Sequence, residues 1–184
     1  MALNSLIKDS LIKNGVMLGS FAIVTTALIA VTFFGTKDTI EEQKRRKLLS
    51  VLNEVVPSSL HTNPLYADCT VIDSDALGPG NHAIYRARQN NQPSALVVQA
   101  TAPDGYSGNI DMVIGVDIQL NVLGVRVVEH KETPGLGDKV ELAISDWVTS
   151  FEGKGFSSEN LVPWQVRKDG GEFDQFTGAT ITPR

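Results

Sequence analysis

Cysteine is almost missing: Cys69 stands alone in 184 residues. That excludes an intramolecular disulfide and a thiolate-held iron–sulfur cluster, which usually needs four thiolates. Cys69 itself reads as a small buried residue rather than a ligand. Histidine is nearly as scarce, with only His61, His82 and His130, so there is little material for a transition-metal centre. Surplus positive charge is also lacking. The net charge is −5 and the pI about 5.2, against the basic face of a nucleic-acid binder. Repeats and low-complexity tracts are absent. The chain does have an ordinary share of hydrophobic residues, 42%, and of charged ones, 20%, so it can bury a core. If such a chain moves electrons, its composition favours an organic cofactor as the carrier.

Charge is wholly absent from Gly15 to Phe34. As a helix rising 1.5 Å per residue this run spans roughly 30 Å, the thickness of a bilayer's hydrocarbon core. We assign residues 1–14 to an N-terminal cytoplasmic segment and 15–35 to a transmembrane helix. The hydroxyls of Ser20, Thr25, Thr26 and Thr32 can bond to helix carbonyls or neighbouring helices. The run is longer than the apolar part of a signal peptide, and no small-x-small cleavage site follows, so a retained anchor is the preferred reading. Basic residues lie on both sides: Lys8 and Lys13 before, Lys37 and the cluster Lys44, Arg45, Arg46, Lys47 after. A plain count of them would keep the C-terminal part in the cytoplasm.

Residues 36–93 form a membrane-proximal helix and a connecting region. Lys37 to Val56 has apolar residues at helical spacing (Ile40, Leu48, Leu49, Leu52, Val56) and stops at Pro57. Its basic cluster reads as a solvated face or a fringe at lipid head groups. Ser58 to Gln92 is polar, with one short strand expected at Ala83–Arg86. From residue 94 the texture changes. Ala95–Ala100, Asn109–Asp117 and Val122–His130 are β-branched runs bounded by turn residues, and read as consecutive antiparallel strands. Asp138–Val148 has the pattern of a helix. The fold class is α+β: an antiparallel sheet with a few helices, tethered by one N-terminal span.

Two segments have the residue types of a binding site. In His130–Asp138 (HKETPGLGD), Pro134-Gly135 signals a turn, and the glycines let backbone approach a flat ligand. Thr133 offers a hydroxyl and Leu136 an apolar side chain, suited to the edge and face of an aromatic ring. The plainer reading is a strand-to-helix connection with Asp138 as N-cap. His130 and Glu132, two apart on the expected strand, share a face and read as a surface pair rather than a proton relay. In Asp174–Pro183 (DQFTGATITP), three threonines surround Gly178 and Ala179. Small residues expose amides that can hold an anion such as phosphate, and Thr177 and Thr182 add hydroxyls. Thr180 is an attachable nucleophile among them. The plainer reading here is a hydroxyl-rich turn. No acid–base or nucleophilic catalytic pair is evident.

Taken together, these segments resemble the FMN-binding domain of the G subunit of the Rnf (Rsx) ion-translocating electron-transport complex. Three matches carry the resemblance: Thr177-Gly178-Ala179-Thr180 preceded by Asp174, Glu132–Gly137 (ETPGLG), and Gly105-Tyr106-x-Gly108. The N-terminal span extends it over essentially the whole chain, with 94–184 as the FMN-binding domain. Two departures stand out. Gln119-Leu120-Asn121 replaces a turn that often holds a glycine, and the sequence ends at Arg184, where family members usually continue into a helical segment.

The resemblance implies FMN esterified through its phosphate to Thr180. Thr177, Gly178, Ala179 and Thr182 would surround the phosphate; Tyr106, Thr133 and Leu136 would contact the ring. It implies maturation by a separate flavin transferase using FAD and magnesium, with Asp174 in the recognised motif. It also implies a place in the inner membrane with the FMN domain on the periplasmic side, against the charge count, and a role relaying electrons between ferredoxin and NAD beside other subunits of the complex. Three other readings stay open: the C subunit of a sodium-translocating NADH:quinone oxidoreductase, an unflavinylated membrane anchor, and a stand-alone flavoreductase.

Overall fold

The computed structural model describes residues 2–157 and 161–184, without the side chains of residues 2–7 and 9. They fall into two units, Met1–Arg46 and Lys47–Arg184. One helix, α1, runs Ala2–Val55, so the expected anchor and membrane-proximal helices are a single element. By length and composition it is the one helix among the described residues able to cross a membrane.

In the first unit the apolar run has no polar side. Val16, Leu18, Ile23, Leu28, Ile29, Val31 and Phe34 are all exposed, the pattern of a helix that hydrocarbon would solvate. Its hydroxyls turn inward onto the helix: Ser20 donates to the Met17 carbonyl at 2.8 Å, Thr25 to Phe21 at 2.9 Å and Thr32 to Leu28 at 2.9 Å. No hydroxyl among these three is left bare to lipid. Beyond the run, Glu42 accepts from Arg45 at 2.8 Å and Arg46 at 3.0 Å.

The second unit is built on a five-stranded antiparallel meander, in order β1-β2-β3-β4-β5. The strands are β1 (Cys69–Asp73), β2 (Asn81–Gln89), β3 (Gln92–Gly105), β4 (Gly108–Asp117) and β5 (Val122–Glu129). One face of this sheet carries Tyr85, Ala87, Ala95, Val97 and Val113, packed against Leu52, Val55 and Val56 at the end of α1. Each such fully buried aliphatic side chain contributes about 1.5–3 kcal/mol. The approach is close because glycine lies beneath it. Gly115 on β4 pairs with Gly124 on β5. A Cβ added at Gly115 would run into the Val55 carbonyl, and one at Gly124 would lie 3.1 Å from the Val55 Cα. Lys47 Nζ donates to the Val128 carbonyl at 2.8 Å, tying the helix to β5.

The other face is covered by the segment from Gly137 to the C-terminus. This segment contains only short 3₁₀ turns, Gly137–Val140, Trp147–Phe151, Val162–Trp164 and Arg167–Asp169, among the described residues. Rings hold it together: Trp147 lies edge-on to Phe176 at 5.0 Å and to Phe151 at 5.1 Å, and Phe151 stacks on Phe173 at 4.2 Å. An apolar cavity of about 250 Å³ separates Met112, Ile114 and Val127 from Trp147, Phe151 and Trp164.

Several expectations need correcting. The helix expected over Asp138–Val148 does not form. Ser145 Oγ accepts from the Trp147 amide at 3.1 Å and the Asp146 carbonyl caps the next turn at 2.9 Å, a local alternative to helix bonding. The strand expected at Ala83–Arg86 is the middle of the longer β2, and β1 falls in a stretch whose pattern predicts no strand. Cys69 is exposed, not buried, because β1 is an edge strand that buries little on either side.

Candidate functional site

Three tight turns meet at one end of the second unit. The first, Gly105–Gly108, joins β3 to β4 and presents Tyr106, which is 69% exposed. The second is Thr133–Leu136. The Leu136 amide donates to the Thr133 carbonyl at 3.1 Å, with proline second and Gly135 third at φ +79°, as a type II turn requires. The third is Phe176–Ala179. The Ala179 amide donates to the Phe176 carbonyl at 3.2 Å, and Gly178 is third at φ +84°. The second and third turns touch: a Cβ added at Gly178 would lie 3.0 Å from Leu136 Cδ2. Between the three lies a cavity of about 230 Å³, lined by Tyr106, Glu132, Thr133, Leu136, Gly137 and residues 178–181.

Six of the nine residues expected at the site line this cavity: Tyr106, Thr133, Leu136, Gly178, Ala179 and Thr180. Thr180 is exposed at this cavity. The other three lie elsewhere. Thr177 is exposed on the turn beside the cavity. Thr182 faces away, its hydroxyl donating to Glu132 Oε2 at 2.6 Å. Asp174 sits at the start of the loop, where its carbonyl accepts from the Trp147 indole at 2.9 Å and its carboxylate pairs with Arg167 at 2.7 Å. The Trp147–Asp174 bond and the buried Phe176 ring fix where the loop begins.

Glu132 is the residue that sequence reasoning misplaced. β5 ends at Glu129, so His130 and Glu132 are not on a strand, and Glu132 is only 5% exposed. Its Oε1 accepts from the Ser107 amide at 2.9 Å and its Oε2 from the Thr182 hydroxyl. Its own amide donates to His130 Nδ1 at 3.0 Å. That leaves His130 Nε2 to carry the ring proton toward Glu141 Oε1 at 2.8 Å. The expected surface pair is therefore a chain of bonds running from the buried Glu132 through a half-buried His130 to the partly exposed Glu141. Asp138 does not act as an N-cap either: Leu136 holds the cap position, and the Asp138 carboxylate accepts from the Gly135 amide at 2.9 Å. The one local sign of Glu132's burial is Gly137, where a Cβ would run into Glu132 Oε2.

The lining fits a flavin phosphate ester in two respects. An exposed threonine, Thr180, stands in the lining. Tyr106, Leu136 and Ile181 present exposed aromatic and aliphatic surface around one cavity, such as a flat ring system packs against. The carboxylate in the wall, Glu132, is tied by both oxygens to Ser107 and Thr182, which holds it in place in the wall with its charge retained.

Comparison with known proteins shows which family the chain resembles along its length. Residues 1–55 match the family model described as the RnfG N-terminal region, and residues 105–184 match that of an FMN-binding domain. The chain is 52% identical over 173 residues to the G subunit of the ion-translocating oxidoreductase complex of Vibrio atlanticus, covering 94% of this chain and 83% of that one. It is 50% identical over 179 residues to the corresponding G subunit of Pseudoalteromonas atlantica (96% and 83%), and 50% identical over 179 residues to that of Shewanella amazonensis (96% and 83%). With identity of this order over nearly its whole length, the chain belongs to the family of G subunits of Rnf-type ion-translocating oxidoreductase complexes.

Proposed function

We propose that this chain is an electron-transfer subunit of a membrane-bound ion-translocating oxidoreductase, carrying FMN joined through its phosphate to the Thr180 hydroxyl. The observation that carries the reading is the position of Thr180: exposed, at the rim of the cavity formed by the three turns. FMN supplies the redox chemistry, taking up and releasing electrons at its ring system, and the protein supplies position and electrostatics. A covalent tether replaces a binding equilibrium with a fixed local concentration. In this reading Thr177, Gly178 and Ala179 surround the phosphate, and Tyr106, Thr133 and Leu136 border the ring. Thr182 acts through Glu132 rather than by direct contact.

The partners are the other subunits of the complex, between ferredoxin and NAD, and a flavin transferase that uses FAD and magnesium and reads the loop from Asp174. We further propose that α1 anchors the chain in the inner membrane with the FMN domain on the periplasmic side. The basic cluster after the span need not act as a cytoplasmic anchor. Arg45 and Arg46 are engaged with Glu42, and Lys47 with Val128.

The test is intact mass with peptide mapping of protein made with and without the transferase. An FMN adduct on the Thr180 peptide, absent from Thr180→Ala, is the expected result. No adduct despite an active transferase would refute the covalent reading.

A further inference from the structure

We propose that Glu132 is the positioning residue of the site: one buried carboxylate holds two walls of the cavity in register, and its charge lowers the reduction potential of the attached flavin. The second half rests on the FMN reading above; the first does not.

The positioning role rests on direct bonds. Glu132 reaches the Gly105–Gly108 turn through the Ser107 amide and the attachment loop through the Thr182 hydroxyl, while its own turn begins at Thr133. Three segments distant in sequence therefore share one side chain. Each oxygen takes one donor and gives nothing back, the role of an ionised carboxylate. Hydrogen bonds to a charged acceptor are about twice as strong as neutral ones, and Glu132 itself is only 5% exposed. Gly137 leaves room for the carboxylate, and His130 fixes the backbone of Glu132 from the other side. Tyr106 and Thr180, close in sequence to the two held residues, are thus fixed relative to each other although neither touches the other's turn through a main-chain bond.

The effect on potential follows from charge. Glu132 lines the same cavity as Tyr106, Leu136 and Thr180. Adding an electron beside a fixed negative charge in a poorly solvated wall is disfavoured. Neutralising that charge without removing its volume makes reduction easier.

The first experiment is hydrogen exchange on the full chain in detergent, before flavin is attached. In Glu132→Ala, the Ser107 amide and the amides of residues 177–182 should both exchange faster, by about tenfold, the factor expected for a lost charged bond. Thr182→Val should loosen the loop and spare Ser107. Glu132→Gln, which keeps an acceptor for Ser107, should restore most of the protection. Exchange in Glu132→Ala equal to wild type in both segments would overturn the positioning role. The second experiment is a redox titration of the flavin-loaded chain. Glu132→Gln should have a higher midpoint potential than wild type, whereas Glu152→Gln, which removes an equal charge outside the cavity lining, should not. An unchanged potential and flavin spectrum in Glu132→Gln would overturn the electrostatic role, and so would Glu132→Gln protein that takes up no flavin at all. Absence of any adduct on wild-type Thr180 would refute the FMN reading and leave the exchange result standing.

Discussion

The two faces of the sheet are covered by opposite means. On one, the end of α1 lays Leu52, Val55 and Val56 onto β-branched and small residues, and a facing glycine pair lets helix and strands approach to contact. On the other, a segment whose described residues form only short 3₁₀ turns is held by stacked rings, tight turns and single side-chain bonds, over an apolar cavity of about 250 Å³. The first arrangement is close-packed where the helix end meets the strands. The second leaves turns exposed, and the candidate site is made of them. Rigidity is concentrated on the face without the site, which frees the other face to be built from loops.

The contrast can be broken most severely at Gly115. Gly115→Val would drive a side chain into the Val55 carbonyl, and we expect a loss of at least about 3 kcal/mol, at the upper end for overpacking. Chemical denaturation of the full chain followed by tryptophan fluorescence would measure it; a loss under about 1 kcal/mol, the lower end of that range, would mean that the helix end is not seated on the sheet. Phe173→Ala should cost about 3 kcal/mol, but by loosening the ring cluster rather than the helix contact. Its signature is faster hydrogen exchange confined to residues 137–184, and equal acceleration in β3 would contradict the division into two kinds of packing.

A gain is expected at the hairpin between β4 and β5. Leu120 holds φ +64°, a left-handed conformation that costs an L-residue roughly 1 kcal/mol. Leu120→Gly should raise stability by about 0.5–1 kcal/mol, read as a higher melting temperature, with no change at the site. The smallest effect concerns Asp117 in the same hairpin. Hydrogen bonds from the Asn121 side chain, then the Asn121 amide and then the Gln119 amide, hold its carboxyl below the usual carboxylate range. Because the folded state binds the proton less readily than the unfolded one, this contribution is present above the unfolded pKa, about 3.9, and fades as pH falls through the folded value. Asp117→Asn should flatten the acid limb of the stability profile slightly, and an unchanged limb would show that these bonds contribute nothing.

The same division decided what could be read from the sequence. β3, β4 and β5 announce themselves through β-branched runs between turn residues, and the apolar part of α1 through a long uncharged stretch. β1 does not, because an exposed edge strand has no buried face to impose a pattern. The helix expected at Asp138–Val148 failed because its apolar residues serve two separate short turns, Val140 in Gly137–Val140 and Trp147 with Val148 in Trp147–Phe151. Within the site, Pro134-Gly135 was legible as a turn, and Gly178 as part of a hydroxyl-rich one. Glu132 was not. A carboxylate within HKETPG looks solvated, and only Ser107 and Thr182, 25 and 50 positions away, make it a buried anchor.

The seat of α1 on the sheet has a practical side. The residues that close the sheet's aliphatic face, Leu52, Val55 and Val56, lie at the end of the same continuous helix that holds the uncharged run from Gly15 to Phe34. A shortened version of the FMN-binding unit therefore cannot be made by discarding the whole helix. It must keep the stretch from Lys47 onward as a permanent plug, and that short piece of helix is as much a part of the globular half as any strand.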